Sequence, residues 1–145
     1  MRNIIEEARV ILPGLQALFG FQTIAVFSER FAELAAYAKA CHVIGLALVI
    51  VAVAMVMTPA VYYRACGGRA NVEMVHVSAK MIRGALAPLA CGLALDMFTV
   101  FHAVTSSLVT SIVAALAVFA LLTALWFILP SRARHRIARR NRRVF

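Results

Sequence analysis

The run from Arg83 to His102 constrains this chain most. It is apolar and long enough to cross a bilayer, yet it carries Asp96 well inside its boundaries. A charged carboxylate at mid-membrane costs roughly 2.5–3.5 kcal/mol on insertion scales. Asp96 is therefore expected to face other helices, which must be arranged to receive it.

The rest of the chain supports that setting. Of its 145 residues, 63% are hydrophobic and 14% charged, against about 45–50% and about 25% in soluble domains. Apolar runs of about 18 residues or more recur, and each can cross about 30 Å of hydrocarbon as a helix. They lack the alternation of a barrel strand, so the expected fold is all-α, a four-transmembrane-helix bundle. The predicted spans are about 10–27, 42–63, 84–104 and 106–129. Residues 1–130 form one membrane domain and 131–145 an Arg-rich tail.

The first span is the least apolar, with Gln16, Gln22 and Thr23 inside it. Polar amides in a span favour helix contact over lipid contact, so its Gln face is expected to look inward. Pro13 removes a backbone donor and predicts a kink or a helix start. Ser28 can cap a short amphipathic segment over 28–41, either a surface helix or a projecting start to the second span. In the second span, Thr58-Pro59 predicts a bend and Tyr62-Tyr63-Arg64 an interfacial anchor. Cys66-Gly67-Gly68 predicts a turn and Asn71 a helix cap. The fourth span follows a very short connection. Its Ala114, Ala117, Ala120 and Ala124 allow close helix approach, and Trp126 fits an interfacial aromatic belt.

The net charge of +9 has a simple cause in a membrane protein. Only Arg30 and Lys39 fall on one side of the predicted spans, and all other Lys and Arg residues on the opposite side. The positive-inside rule then places both termini in the cytoplasm. The acids Glu6 and Glu7, with no Ala-x-Ala pattern behind the first run, argue against a cleaved leader. Cys41, Cys66 and Cys91 are odd in number and widely spaced, which predicts neither a disulfide framework nor a metal site.

Chemistry has few places to sit. Asp96 lies roughly 18 Å along the helix from Gly84, and Gln22 at a similar height above Val10. The plain expectation is a buried, neutral hydrogen bond from Asp96 to Gln22 or Thr23, with Thr99 nearby. A proton or cation relay through the same groups is the sharper alternative. His42 and His102 are expected at the outer interface at similar heights, where a haem between them is a remote option. His76, Lys80 and Arg83 share a helix face, and Arg132, Arg134, Arg136, Arg139, Arg140, Arg142 and Arg143 fill the tail. Both sets are expected to meet anionic lipid headgroups, with a partner protein as a second option for the tail. Nucleic acid is disfavoured by the lack of interleaved aromatics. No nucleophile elbow, metalloprotease motif, phosphate loop or carboxylate pair appears, so no catalytic residue, metal or cofactor is expected.

The stretch Arg9-Val10-Ile11-Leu12-Pro13-Gly14-Leu15-Gln16-Ala17-Leu18-Phe19-Gly20-Phe21, with Glu29-Arg30-Phe31 and Thr58-Pro59-Ala60-Val61-Tyr62-Tyr63-Arg64, resembles a family of small bacterial four-helix membrane proteins of unknown function. That family's pattern has Gly-x-Gln-x-Leu-Phe-x-Phe in the first span and Pro-Ala-x-Tyr-His-Arg after the second. Gly14, Gln16, Phe19, Phe21, Pro59, Tyr62 and Arg64 match it. Tyr63 replaces the histidine, which weakens any metal role there, and Asp96 is not part of the pattern. The resemblance covers most of residues 7–130 and implies a multi-pass protein of the bacterial inner membrane, without an activity. The expected function is thus non-enzymatic: helix packing, as an accessory subunit or a homo-oligomer. A small ion- or proton-coupled transporter or channel using Asp96 is the alternative.

Overall fold

A computed structural model describes residues 2–65 and 72–132, with side chains from residue 13 to 65 and from 75 to 132. The expected turn at Cys66-Gly67-Gly68, the Asn71 cap and the tail beyond Arg132 lie outside the described residues. The elements are α1 (Arg2–Ala25), α2 (Glu29–Ala32), α3 (Ala36–Ala65), α4 (Val72–Thr105) and α5 (Leu108–Thr123), the last widening into a π-turn at Ala124–Ile128. Among the described residues there is no strand. Three stretches are long and apolar enough to cross a membrane: Ala36–Ala65, Val75–Thr105 and Leu108–Arg132.

Two of these helices outrun their expected spans. The segment over 28–41 divides at residues 33–35: α2 is a single turn, and α3 has already begun at Ala36. Ser28 causes the first break. Its hydroxyl donates to the Ala25 carbonyl at the end of α1 and accepts from the Phe31 amide at the start of α2. Lys39 then donates to the Ala32 carbonyl at 2.7 Å, closing the other end of the short helix. Pro13 does not start a helix, since α1 runs through it from Arg2.

The buried residues of α3 are Ala38, His42, Gly45, Val49, Ala52, Val56 and Pro59. Their steps alternate four and three, the spacing that keeps one seam facing a neighbouring helix. On α4 the matching row is Ala85, Leu89, Gly92, Asp96 and Thr99. About half a turn away on α4, a second buried row holds Ala90, Ala94 and Phe98. Burial on opposite sides fits the place of α4, which packs on α3 and on α5. Leu15, Leu18 and Phe19 bring α1 against the core made by Val49, Ala52, Val56, Ala85 and Leu89.

The α3–α4 seam closes around glycines. A Cβ on Gly92 would stand 2.9 Å from the Gly45 carbonyl oxygen and 3.2 Å from Val49 Cγ2. A Cβ on Gly45 would stand 3.1 Å from the Gly92 carbonyl oxygen. Only hydrogens fit between these backbones.

The α4–α5 connection is as short as expected. Ser106 takes a left-handed φ of 51°, and the Ser107 hydroxyl accepts from the Thr110 amide to begin α5. Ser111 is fully buried, and Ala114 is half-buried. Ala117, Ala120 and Ala124 are exposed and lie on the uncovered side of α5. Trp126, in the π-turn, lies partly buried against the core. Elsewhere large apolar side chains point outward, among them Val43, Ile50, Val109, Leu116 and Leu129. Contiguous apolar surface of this kind suits hydrocarbon rather than water.

The glycine contacts give a first test. Gly92→Ala forces backbone against backbone and is expected to lower stability by about 1–3 kcal/mol. Gly14→Ala and Gly20→Ala, where an added Cβ meets nothing within 4 Å, are expected to be neutral or to gain up to about 1 kcal/mol from helix propensity. Unfolding in mixed micelles measures the difference.

Candidate functional site

One turn beyond Gly92 on the same row, Asp96 emerges from α4 opposite Gly45. The missing side chain of Gly45 makes the room: a Cβ there would approach Asp96 Oδ1 to 3.0 Å. One turn earlier on α3, His42 brings Nδ1 to 3.2 Å from Asp96 Oδ1. From α1, Gln22 donates its side-chain amide to Asp96 Oδ2. The backbone carbonyl of Gln22 sits 3.0 Å from His42 Nε2. A carbonyl only accepts, so Nε2 carries the hydrogen.

The cluster is enclosed. His42 is 4% exposed, Gln22 5%, and the Asp96 side chain 13%. From α2, Phe31 stands edge-on against the His42 ring at 5.2 Å. A turn further along α4, the Thr99 hydroxyl donates to the Leu95 carbonyl at 3.0 Å and lies 3.4 Å from that of Ala38. The His42–Asp96 approach is within ion-pair distance, and Asp96 Oδ1 has a donor there only when His42 Nδ1 carries a hydrogen. Gln22 Oε1 remains as a buried acceptor without a hydrogen-bond donor.

Asp96, Gln22 and Thr99 from the sequence reading come together here, and two other residues do not. Thr23 is exposed and donates to the Phe19 carbonyl of its own helix at 2.9 Å, being a third of a turn round from Gln22. Gln16 is also exposed. It precedes Gln22 by six residues, near 240° on a helix, so the two amides never shared a face.

His42 is the larger correction. Expected at the outer interface, it lies inside the bundle, on the row Ala38, His42, Gly45, Val49. That spacing of four, three and four was in the sequence, and it groups the histidine with the small residues that pack. His102 stays half-buried and apart, with Nε2 2.9 Å from the Tyr37 hydroxyl and its ring stacked on Phe98 at 5.9 Å. The two histidines thus have separate partners. Among the described residues no group of three or more His, Cys, Asp or Glu side chains converges on a metal position. His76, Lys80, Arg83 and Arg132 are exposed, and Arg83 donates to the Ala79 carbonyl. Arg134, Arg136, Arg139, Arg140, Arg142 and Arg143 lie outside the described residues.

Residues 1–130 match the model of a family described as a family of unknown function (DUF6328), and the chain belongs to that family. No curated protein and no solved structure matches it.

The separate roles of neighbouring residues can be measured. Removing one member of the buried His42–Asp96 pair, as in His42→Ala, is expected to cost about 3–5 kcal/mol. Gln22→Leu, which removes one hydrogen bond between helices, should cost about 0.6–2 kcal/mol. Thr23→Val should cost nothing measurable. Unfolding in mixed micelles, run on all three, tests the order.

Proposed function

We propose that this member of a family of unknown function is a non-enzymatic integral membrane protein that acts by helix packing. It serves as an accessory subunit of a larger membrane assembly or as a homo-oligomer. One observation carries the reading: the enclosed polar side chains Gln22, His42, Asp96 and Thr99 are turned toward other helices. Gln22 binds Asp96 across helices, and Thr99 reaches the Ala38 carbonyl. Groups used this way hold segments together and cost little in lipid.

The outer helix supports the same view. α5 packs on α4 along one side and leaves Leu108, Val109, Val113, Leu116 and Leu121 bare. In this proposal α1 is the fourth crossing, both termini are cytoplasmic, and the setting is a bacterial inner membrane. Exposed His76, Lys80, Arg83 and Arg132, with the Arg-rich tail, then meet anionic headgroups.

Mild extraction from native membranes after light cross-linking provides the test. Further copies of the chain or a second membrane subunit are expected at fixed stoichiometry. Reconstituted protein should show ion flux at background level, equal for wild type and Asp96→Asn. A lone monomer with flux that Asp96→Asn abolishes would replace packing with transport.

A further inference from the structure

We propose that His42, Asp96 and Gln22 form a proton-binding site that exchanges one proton with water, the incoming water molecule being held by Gln22 Oε1 and Asp96 Oδ1. This goes beyond a packing role, which needs only the bonds already made.

His42 Nε2 is committed as a donor to the Gln22 carbonyl. Asp96 Oδ2 is committed as an acceptor from the Gln22 amide. Whatever proton the pair holds must therefore lie between His42 Nδ1 and Asp96 Oδ1, which stand 3.2 Å apart. With one proton there, the pair is neutral overall, as imidazolium with carboxylate or as imidazole with carboxylic acid. Both forms share one set of heavy-atom positions. Loss of that proton to water leaves imidazole beside carboxylate, with a charge of minus one. Gain of a second leaves imidazolium beside carboxylic acid, with a charge of plus one. Only N–H and O–H bonds form or break, and water is the donor and the acceptor.

The second observation is a leftover acceptor. Gln22 is 95% buried by its 5% exposure, yet its Oε1 has no donor, and Asp96 Oδ1 loses its own once the shared proton leaves. A purely structural amide–carboxylate bond has no use for an amide oxygen left unsatisfied in an apolar interior. A water molecule can donate to both and has the chemistry to carry a proton to Oδ1.

The surroundings leave the pair to set its own charge. α1 presents Gln22, α2 presents Phe31, α3 presents His42 and Gly45, and α4 presents Thr99 beside Asp96. Among the described residues no Lys, Arg or second acid lies within ion-pair distance of either group. Cys41 neighbours His42 in the chain and is half-buried, and Tyr37 and His102 are bonded to each other.

Asp96 is the only aspartate in the chain, so isotope-labelled aspartate reports on one residue. Protein labelled on aspartate and histidine is placed in lipid and followed by infrared and nuclear magnetic resonance spectroscopy from about pH 5 to about pH 9. The expected result is a single step in which the Asp96 carboxyl and His42 ring signals change together. In His42→Gln, which keeps the carboxyl, the Asp96 step should move by about one pH unit or more. In Gln22→Leu it should also move, because one acceptor for the water is gone. Asp96 and His42 signals that both stay constant across the range in folded protein overturn the proposal. So does a step that His42→Gln leaves in place, or a signal that responds to sodium at fixed pH and not to pH.

Discussion

The architecture depends on the contact of two backbones, α3 and α4, at Gly45 and Gly92. Where the helices come this close, the seam has no volume for large side chains. The same approach sets the polar chemistry, because Asp96 lies one turn beyond the contact and His42 one turn before it. Each reaches across the gap that Gly45 leaves open. A larger residue at Gly45 would separate the helices and place its own atoms against the carboxylate. Packing and charge are thus two effects of one small residue.

Much of this was legible in the chain and some was not. The helical class followed from hydropathy and length alone, since nothing but helices or closed barrels satisfies its backbone in hydrocarbon. That Asp96 would meet Gln22 or Thr23 followed from counting rise along two apolar runs, which gives height and not the choice between neighbours. The misplacement of His42 came from taking it as the outer boundary of its span, when Tyr37 and Lys39 already belong to the same continuous helix. Charge near a helix end looks interfacial in a linear sequence, yet a side chain's direction depends on its row. Thr23 and Gln16 failed for the same reason, as polar character was counted without its angle.

The bundle also separates two kinds of surface. Around α4, both sides are occupied, one by the glycine seam and the other beneath α5. Around α5, only the row through Ser111 and Ala114 is covered. The polar bonds between helices gather where helices are densest, which is the distribution a low-dielectric solvent imposes.

The distance in sequence between Gln22 and Asp96 is 74 residues, and this orders biogenesis. When α1 leaves the ribosome, the group its amide binds has not yet been synthesised. α4 and α5, joined by two serines, can instead pair as a local hairpin almost as they emerge. The side-chain bond that ties α1 to the bundle therefore forms only after α4 has been made.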